Sequence, residues 1–108
     1  MAVRHKLYVE AGATLTRQFE YTDNDGEPFD LVGYTAKMQI RDADGALAVE
    51  VIPEINVETG EISIELSAAQ TSTLTGTGYV WAIELYAPDG YVVRLVEGGV
   101  RVSPEVVR

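Results

Sequence analysis

The side chain in this sequence best suited to proton transfer near neutral pH is its single histidine, His5. It stands between Arg4 and Lys6, and any Ser-His-Asp arrangement would have to use it. No Gly-x-Ser-x-Gly elbow accompanies it, so His5 reads as an exposed residue of a short basic segment. Two Asp-rich stretches, Asp23-Asn24-Asp25-Gly26 and Asp42-Ala43-Asp44-Gly45, invite a calcium test. An EF-type loop needs a glutamate eleven positions after its first aspartate. Those positions are Tyr34 and Pro53, so both stretches read as turns. Glu61 and Glu65 share one face of a strand, about 13 Å apart at ~3.3 Å per residue. That spacing lies outside both the retaining and the inverting glycosidase ranges. Gly98-Gly99 by itself cradles no phosphate. With no cysteine there is no thiolate nucleophile, disulfide or zinc–sulfur site. The expectation is no catalytic residue, no metal and no cofactor.

The six tyrosines and Trp81 are the remaining equipment. Trp81 falls on the apolar side of its segment and reads as core. Tyr34, Tyr86 and Tyr91 stay open as interface anchors, together with the basic trio Arg4, His5 and Lys6.

The elements that hold these residues follow from a period of 2. Tyr34, Ala36, Met38 and Ile40 alternate with Thr35, Lys37, Gln39 and Arg41, the pattern of a half-buried strand. Ile62, Ile64 and Leu66 repeat it, as do Tyr79, Trp81, Ile83 and Leu85. The other side of that last run carries Val80, Ala82, Glu84 and Tyr86, which places it centrally and covered on both sides. Turns at Asp42–Gly45, Glu58-Thr59-Gly60 and Pro88-Asp89-Gly90 predict three hairpins. They join residues 34–41 to 47–51, 55–57 to 61–66, and 79–87 to 91–96. Further strands are expected at 7–10, 15–21 and 100–102, with Arg17 breaking the alternation of the second and lying along the sheet rim. Ser67-Ala68-Ala69-Gln70 is a capping box, so a helix too short to stand alone is expected near 67–74, with Leu74 packed on the end of the fold. Eight or nine short strands with glycine-rich turns predict a sandwich or barrel. The expected core is Phe19, Met38, Ile40, Ile62, Ile64, Leu66, Trp81, Ile83, Leu85, Val93 and Leu95.

Length and charge bound the function. The 108 residues are one domain with a core of its own. Eight Lys and Arg against 17 Asp and Glu give a net charge of −9, which disfavours a nucleic-acid backbone or an anionic membrane as partner. No apolar run reaches 18 residues, and the N-terminus lacks the apolar core of a signal peptide.

Three segments carry a resemblance: residues 30–41 (Asp-Leu-Val-Gly-Tyr-Thr-Ala-Lys-Met-Gln-Ile-Arg), 60–71 (Gly-Glu-Ile-Ser-Ile-Glu-Leu-Ser-Ala-Ala-Gln-Thr), and 78–85 running into Asp89-Gly90 and residues 94–98. Together they resemble small immunoglobulin-like β-sandwich proteins of tailed bacteriophages, the tail-collar and tail-fibre-attachment sandwich family, and more distantly the N-terminal domain of upper baseplate proteins. The likeness spans about residues 10 to 104 and lies in alternation and turns, not in a catalytic signature. No receptor-binding or coiled-coil region follows Arg108, so the expectation is a stand-alone adaptor.

The resemblance implies an all-β, immunoglobulin-like, two-sheet antiparallel sandwich, a single domain over 1–108 with short terminal arms at 1–6 and 104–108. It also implies a non-enzymatic virion protein made in the host cytoplasm. Placement on the tail as a collar, tip or fibre-anchoring adaptor is expected ahead of the head. Its partners would be other phage virion proteins and copies of itself in a symmetric ring, with no nucleic acid or membrane. A capsid decoration protein of the same fold and a free carbohydrate- or protein-binding module are the alternatives.

Overall fold

A computed structural model describes residues 3–22, 26–27 and 29–104. Residues 23–25 of the first Asp-rich turn, residues 1–2, and residues 105–108 of the C-terminal tail lie outside the described residues. The strands are β1 (Val3–Arg4), β2 (Leu7–Glu10), β3 (Leu15–Glu20), β4 (Thr35–Arg41), β5 (Leu47–Val51), β6 (Glu54–Asn56), β7 (Glu61–Leu66), β8 (Val80–Tyr86) and β9 (Val92–Ser103). One helix, α1 (Ala68–Thr71), links β7 to β8.

The alternating segments become two sheets. In the larger, the order is β1-β9-β8-β4-β5, with β2 also paired to β9; in the smaller it is β3-β7-β6. A three-stranded sheet facing a sheet built on β8, the partner of both β4 and β9, is the immunoglobulin-like arrangement. The fold is an all-β, two-sheet sandwich. Its pairings are antiparallel except at one edge, where β1 and β2 run parallel to β9. The three expected hairpins form, β4 with β5, β6 with β7 and β8 with β9. Two of the turns are held by side chains the sequence singled out. Asp42 Oδ1 accepts from the amides of Asp44 and Ala46, and Asp89 Oδ1 accepts from that of Tyr91.

Apolar residues of both sheets face each other. Met38, Ile40, Ile62, Ile64, Leu66, Trp81, Ile83 and Leu85 are buried, as expected. Phe19, Val93 and Leu95 are only half-buried, because they sit toward the margins and pack against the core from outside. Their places are taken by Leu7, Val9, Leu15, Leu31, Ala36, Val49, Leu74, Tyr79 and Val96. Arg17 lies opposite Ile64 but on the edge strand, where its guanidinium escapes to solvent and donates to the Thr16 carbonyl.

The capping box is present in full. Ser67 Oγ accepts from the Gln70 amide, and the Gln70 side chain accepts from the Ser67 amide. The helix is a single turn, yet it carries the one buried polar residue among the described residues, Thr71. Thr71 Oγ1 accepts from the Gly12 amide and donates to the Ala13 carbonyl, pinning the β2–β3 loop from 58 residues away in sequence. Thr71→Val keeps the shape and strands both backbone groups, so it is expected to cost about 1–3 kcal/mol. Urea unfolding checks this; a loss under about 0.5 kcal/mol would mean that water replaces both bonds.

Two sequence expectations change. Residues 3–6 are not a free arm: Val3 and Arg4 pair with Val96 and Glu97, and the His5 amide donates to the Glu97 carbonyl at 2.8 Å. The segments at 91–96 and 100–102 are one strand, running unbroken through Gly98-Gly99. A glycine pair in a sequence reads as an interruption. Here Gly98 is needed for close approach, since a Cβ on it would lie 2.1 Å from the His5 carbonyl oxygen. That oxygen fills the vacant side-chain position and accepts from Trp81 Nε1 at 2.9 Å.

Candidate interaction surface

The strand alternation that buries Trp81, Ile83 and Leu85 turns Val80, Ala82, Glu84 and Tyr86 to the outer face of the larger sheet. Apolar residues on both sides of β8 predict that this face is covered. In the single chain it is open: Val80 is 52% exposed and the other three are half-buried. The same parity brings out Lys37, Gln39 and Arg41 from β4, Arg94, Glu97 and Gly99 from β9, and Arg4 from β1. These residues line one broad, shallow depression across four strands. It holds four of the chain's eight Lys and Arg side chains.

The charges on this face are partly organised. Arg94 bridges Glu84 at 3.4 Å and Glu97 at 3.3 Å. These are half-exposed pairs, so they orient the side chains more than they stabilise the fold. Tyr86 donates its hydroxyl proton to Glu84 Oε1 at 3.1 Å. Burial, then this bond and the charge of Glu84, push the Tyr86 phenol above its ordinary range, which keeps it neutral. Gln39 joins Glu50 to Arg41, whose guanidinium also donates to the Gly45 carbonyl at 2.9 Å. Arg4 and Lys37 have no ion-pair partner among the described residues.

The six interface candidates divide. Arg4 and Tyr86 come together on this face. His5 and Lys6 are exposed beside it; the His5 imidazole stacks edge-on against Phe19 at 6.0 Å and Trp81 at 6.4 Å, which makes it a lid on the core margin. Tyr34 turns away and packs edge-on against Phe29 at 6.1 Å. Tyr91 is 68% exposed at the tip of the β8–β9 turn. No aromatic platform forms from the three tyrosines. Lys37 and Arg41 were not singled out from the sequence, although their outward position was legible from the alternation of β4.

The outer face of the smaller sheet is predominantly acidic. Glu54, Glu61, Glu65 and Glu20 point outward from β6, β7 and β3. Glu20 and Glu61 are directly opposite each other across the β3–β7 pair. Arg17 borders this face, with its guanidinium turned back onto the Thr16 carbonyl. No group of three or more His, Cys, Asp or Glu able to hold a metal ion occurs among the described residues.

No family model and no curated protein matches the chain. Among solved structures it is similar to CopC from Methylosinus trichosporium OB3b, at 16% identity and a TM-score of 0.49. That alignment covers 94% of this chain and 90% of the other.

Proposed function

We propose that the protein is a non-enzymatic structural subunit of a tailed-phage particle, an adaptor of the tail collar, tip or fibre base that works through its surfaces. The observation that supports an assembly role is the outer face of the larger sheet. There the central strand of the sandwich presents Val80, Ala82 and Tyr86 among four cations, open to a partner instead of covered by the chain itself. Such a mixture of apolar and basic groups on a rigid sheet suits an interface better than a reaction site. The phage setting rests on the sequence resemblance over residues 10 to 104. On this reading the protein resides in the virion, meets other virion proteins and its own copies in a ring, and uses no cofactor.

Gold-labelled antibody on intact phage particles from the source tests the proposal. Label at the tail supports it, and the axial position selects collar, tip or fibre base. Label spread over the head makes the protein a decoration subunit. Absence of label from every particle overturns the virion reading in favour of a free binding module.

A further inference from the structure

The two outer faces of the sandwich differ in charge. One carries Arg4, Lys37, Arg41 and Arg94 against Glu84, Glu97 and Glu50; the other carries Glu54, Glu61, Glu65 and Glu20, with Arg17 at its border. We infer that copies of this chain associate front to back, the basic face of the six-stranded sheet of one copy seating on the acidic face of the three-stranded sheet of the next. The inference deepens the assembly reading and rests on it for its biological setting.

Three observations carry it. First, Arg4 and Lys37 lack ion-pair partners within the chain, among the described residues, so their charge is available to a neighbour. Second, Glu20 and Glu61 are paired directly across two strands, and like charges in that position repel. A cation from a facing subunit relieves the repulsion. Third, the basic face has an apolar floor, Val80 and Ala82, on the most central strand of the larger sheet. Contact there removes apolar surface from water in addition to pairing charges.

The geometry sets the strength and the symmetry. Strands lie ~4.8 Å apart and rise ~3.3 Å per residue, so the three-stranded face, which limits the contact, offers roughly 300 Å². A standard interface buries about 800 Å² per partner, so a single contact is weak and gains hold by repetition. The contact is heterologous, with different patches on the two partners. Repeated, it closes into a ring where the rotation between neighbours allows and otherwise continues as an open stack. This differs from contact between chain ends: Arg4 contributes through the sheet edge, not through a loose arm.

Net charge gives the contact a salt signature. Two bodies of charge −9 repel at long range, whereas the facing charges attract at contact. At about 0.15 M salt the Debye length is ~8 Å, which suppresses the first effect more than the second. At about 1 M it is ~3 Å and both fade. Association is therefore expected to peak near physiological ionic strength.

Sedimentation velocity on the full chain, from micromolar to millimolar protein, tests this with two charge-reversed variants. Front variant Lys37→Glu/Arg41→Glu and back variant Glu61→Lys/Glu65→Lys change outward-facing positions, and circular dichroism confirms their folding. The wild type is expected to self-associate, and each variant alone to do so at least tenfold more weakly. An equimolar mixture of the two variants is expected to regain association, because the acidic back of one still fits the basic front of the other. A wild type that stays monomeric at millimolar concentration overturns the inference, as does association that neither variant weakens. A monomeric protein that still labels the virion would sink the stacking and leave the adaptor reading. Stacking by a protein absent from every virion would do the reverse.

Discussion

Replacing Gly98 by alanine is expected to cost about 1–3 kcal/mol, while the same change at Gly99 costs nothing or gains a few tenths. The two glycines are adjacent in one strand and neither has a positive φ, so backbone freedom does not separate them. What separates them is the face they occupy. Gly98 pairs with Trp81 and points inward, where the His5 carbonyl oxygen would lie 2.1 Å from its Cβ. The obstacle is backbone and cannot rotate away. The N-terminal chain must lift off β9, and that breaks the Trp81–His5 bond and the His5 ring contacts with Phe19 and Trp81. Gly99 pairs with Val80, points outward and has open space around its Cβ position. Removing a glycine there restricts the unfolded chain at no steric cost. Paired urea titrations check the contrast. Equal stabilities of the two alanine variants would mean that the N-terminal strand contributes nothing to the fold.

That contrast marks where the sequence was informative. Glu61–Leu66 was legible to the residue from strict alternation bounded by turn residues, and Leu47–Val51 from the Asp42–Gly45 turn that joins it to the alternating β4. The capping box likewise located α1. Val3–Arg4 was illegible: two exposed residues show no period, and their strand exists only because β9 offers a parallel edge. Gly98 was illegible for a related reason, since what occupies its side-chain position is a carbonyl 93 residues away in sequence. The basic face was half legible. Alternation placed Lys37 and Arg41 outward, but only the strand order β1-β9-β8-β4 brings Arg4 and Arg94 beside them. Apolar residues on both sides of β8 suggested double coverage. In the folded chain that second face meets solvent, and the apolar floor of the interaction surface is the result.

Trp81→Ala is expected to produce the largest single loss, about 3–5 kcal/mol, a large share of the ~5–15 kcal/mol that holds a domain of this size. Trp81 is 2% exposed and lies between the sheets, with Phe19 at 5.7 Å between ring centroids. Its removal leaves a cavity that neighbouring side chains on rigid strands can only partly close. It also leaves the His5 carbonyl without its donor. Trp81→Phe separates the two effects: it keeps most of the ring volume, loses the Nε1 proton, and should cost about 1–2 kcal/mol more than the lost volume alone. Trp81 is the chain's one tryptophan, so its fluorescence disappears in both variants, and unfolding is followed by far-ultraviolet circular dichroism. A loss below about 1 kcal/mol for Trp81→Ala would show that the indole does not fill the core. The combination with Gly98→Ala is the sharper test. Both substitutions act on the same His5 carbonyl, so their costs should fall short of adding by at least about 0.5 kcal/mol. Strict additivity would mean that the indole, the carbonyl and the glycine do not form one unit, and that β1 is held by its pairing with Val96 and Glu97 alone.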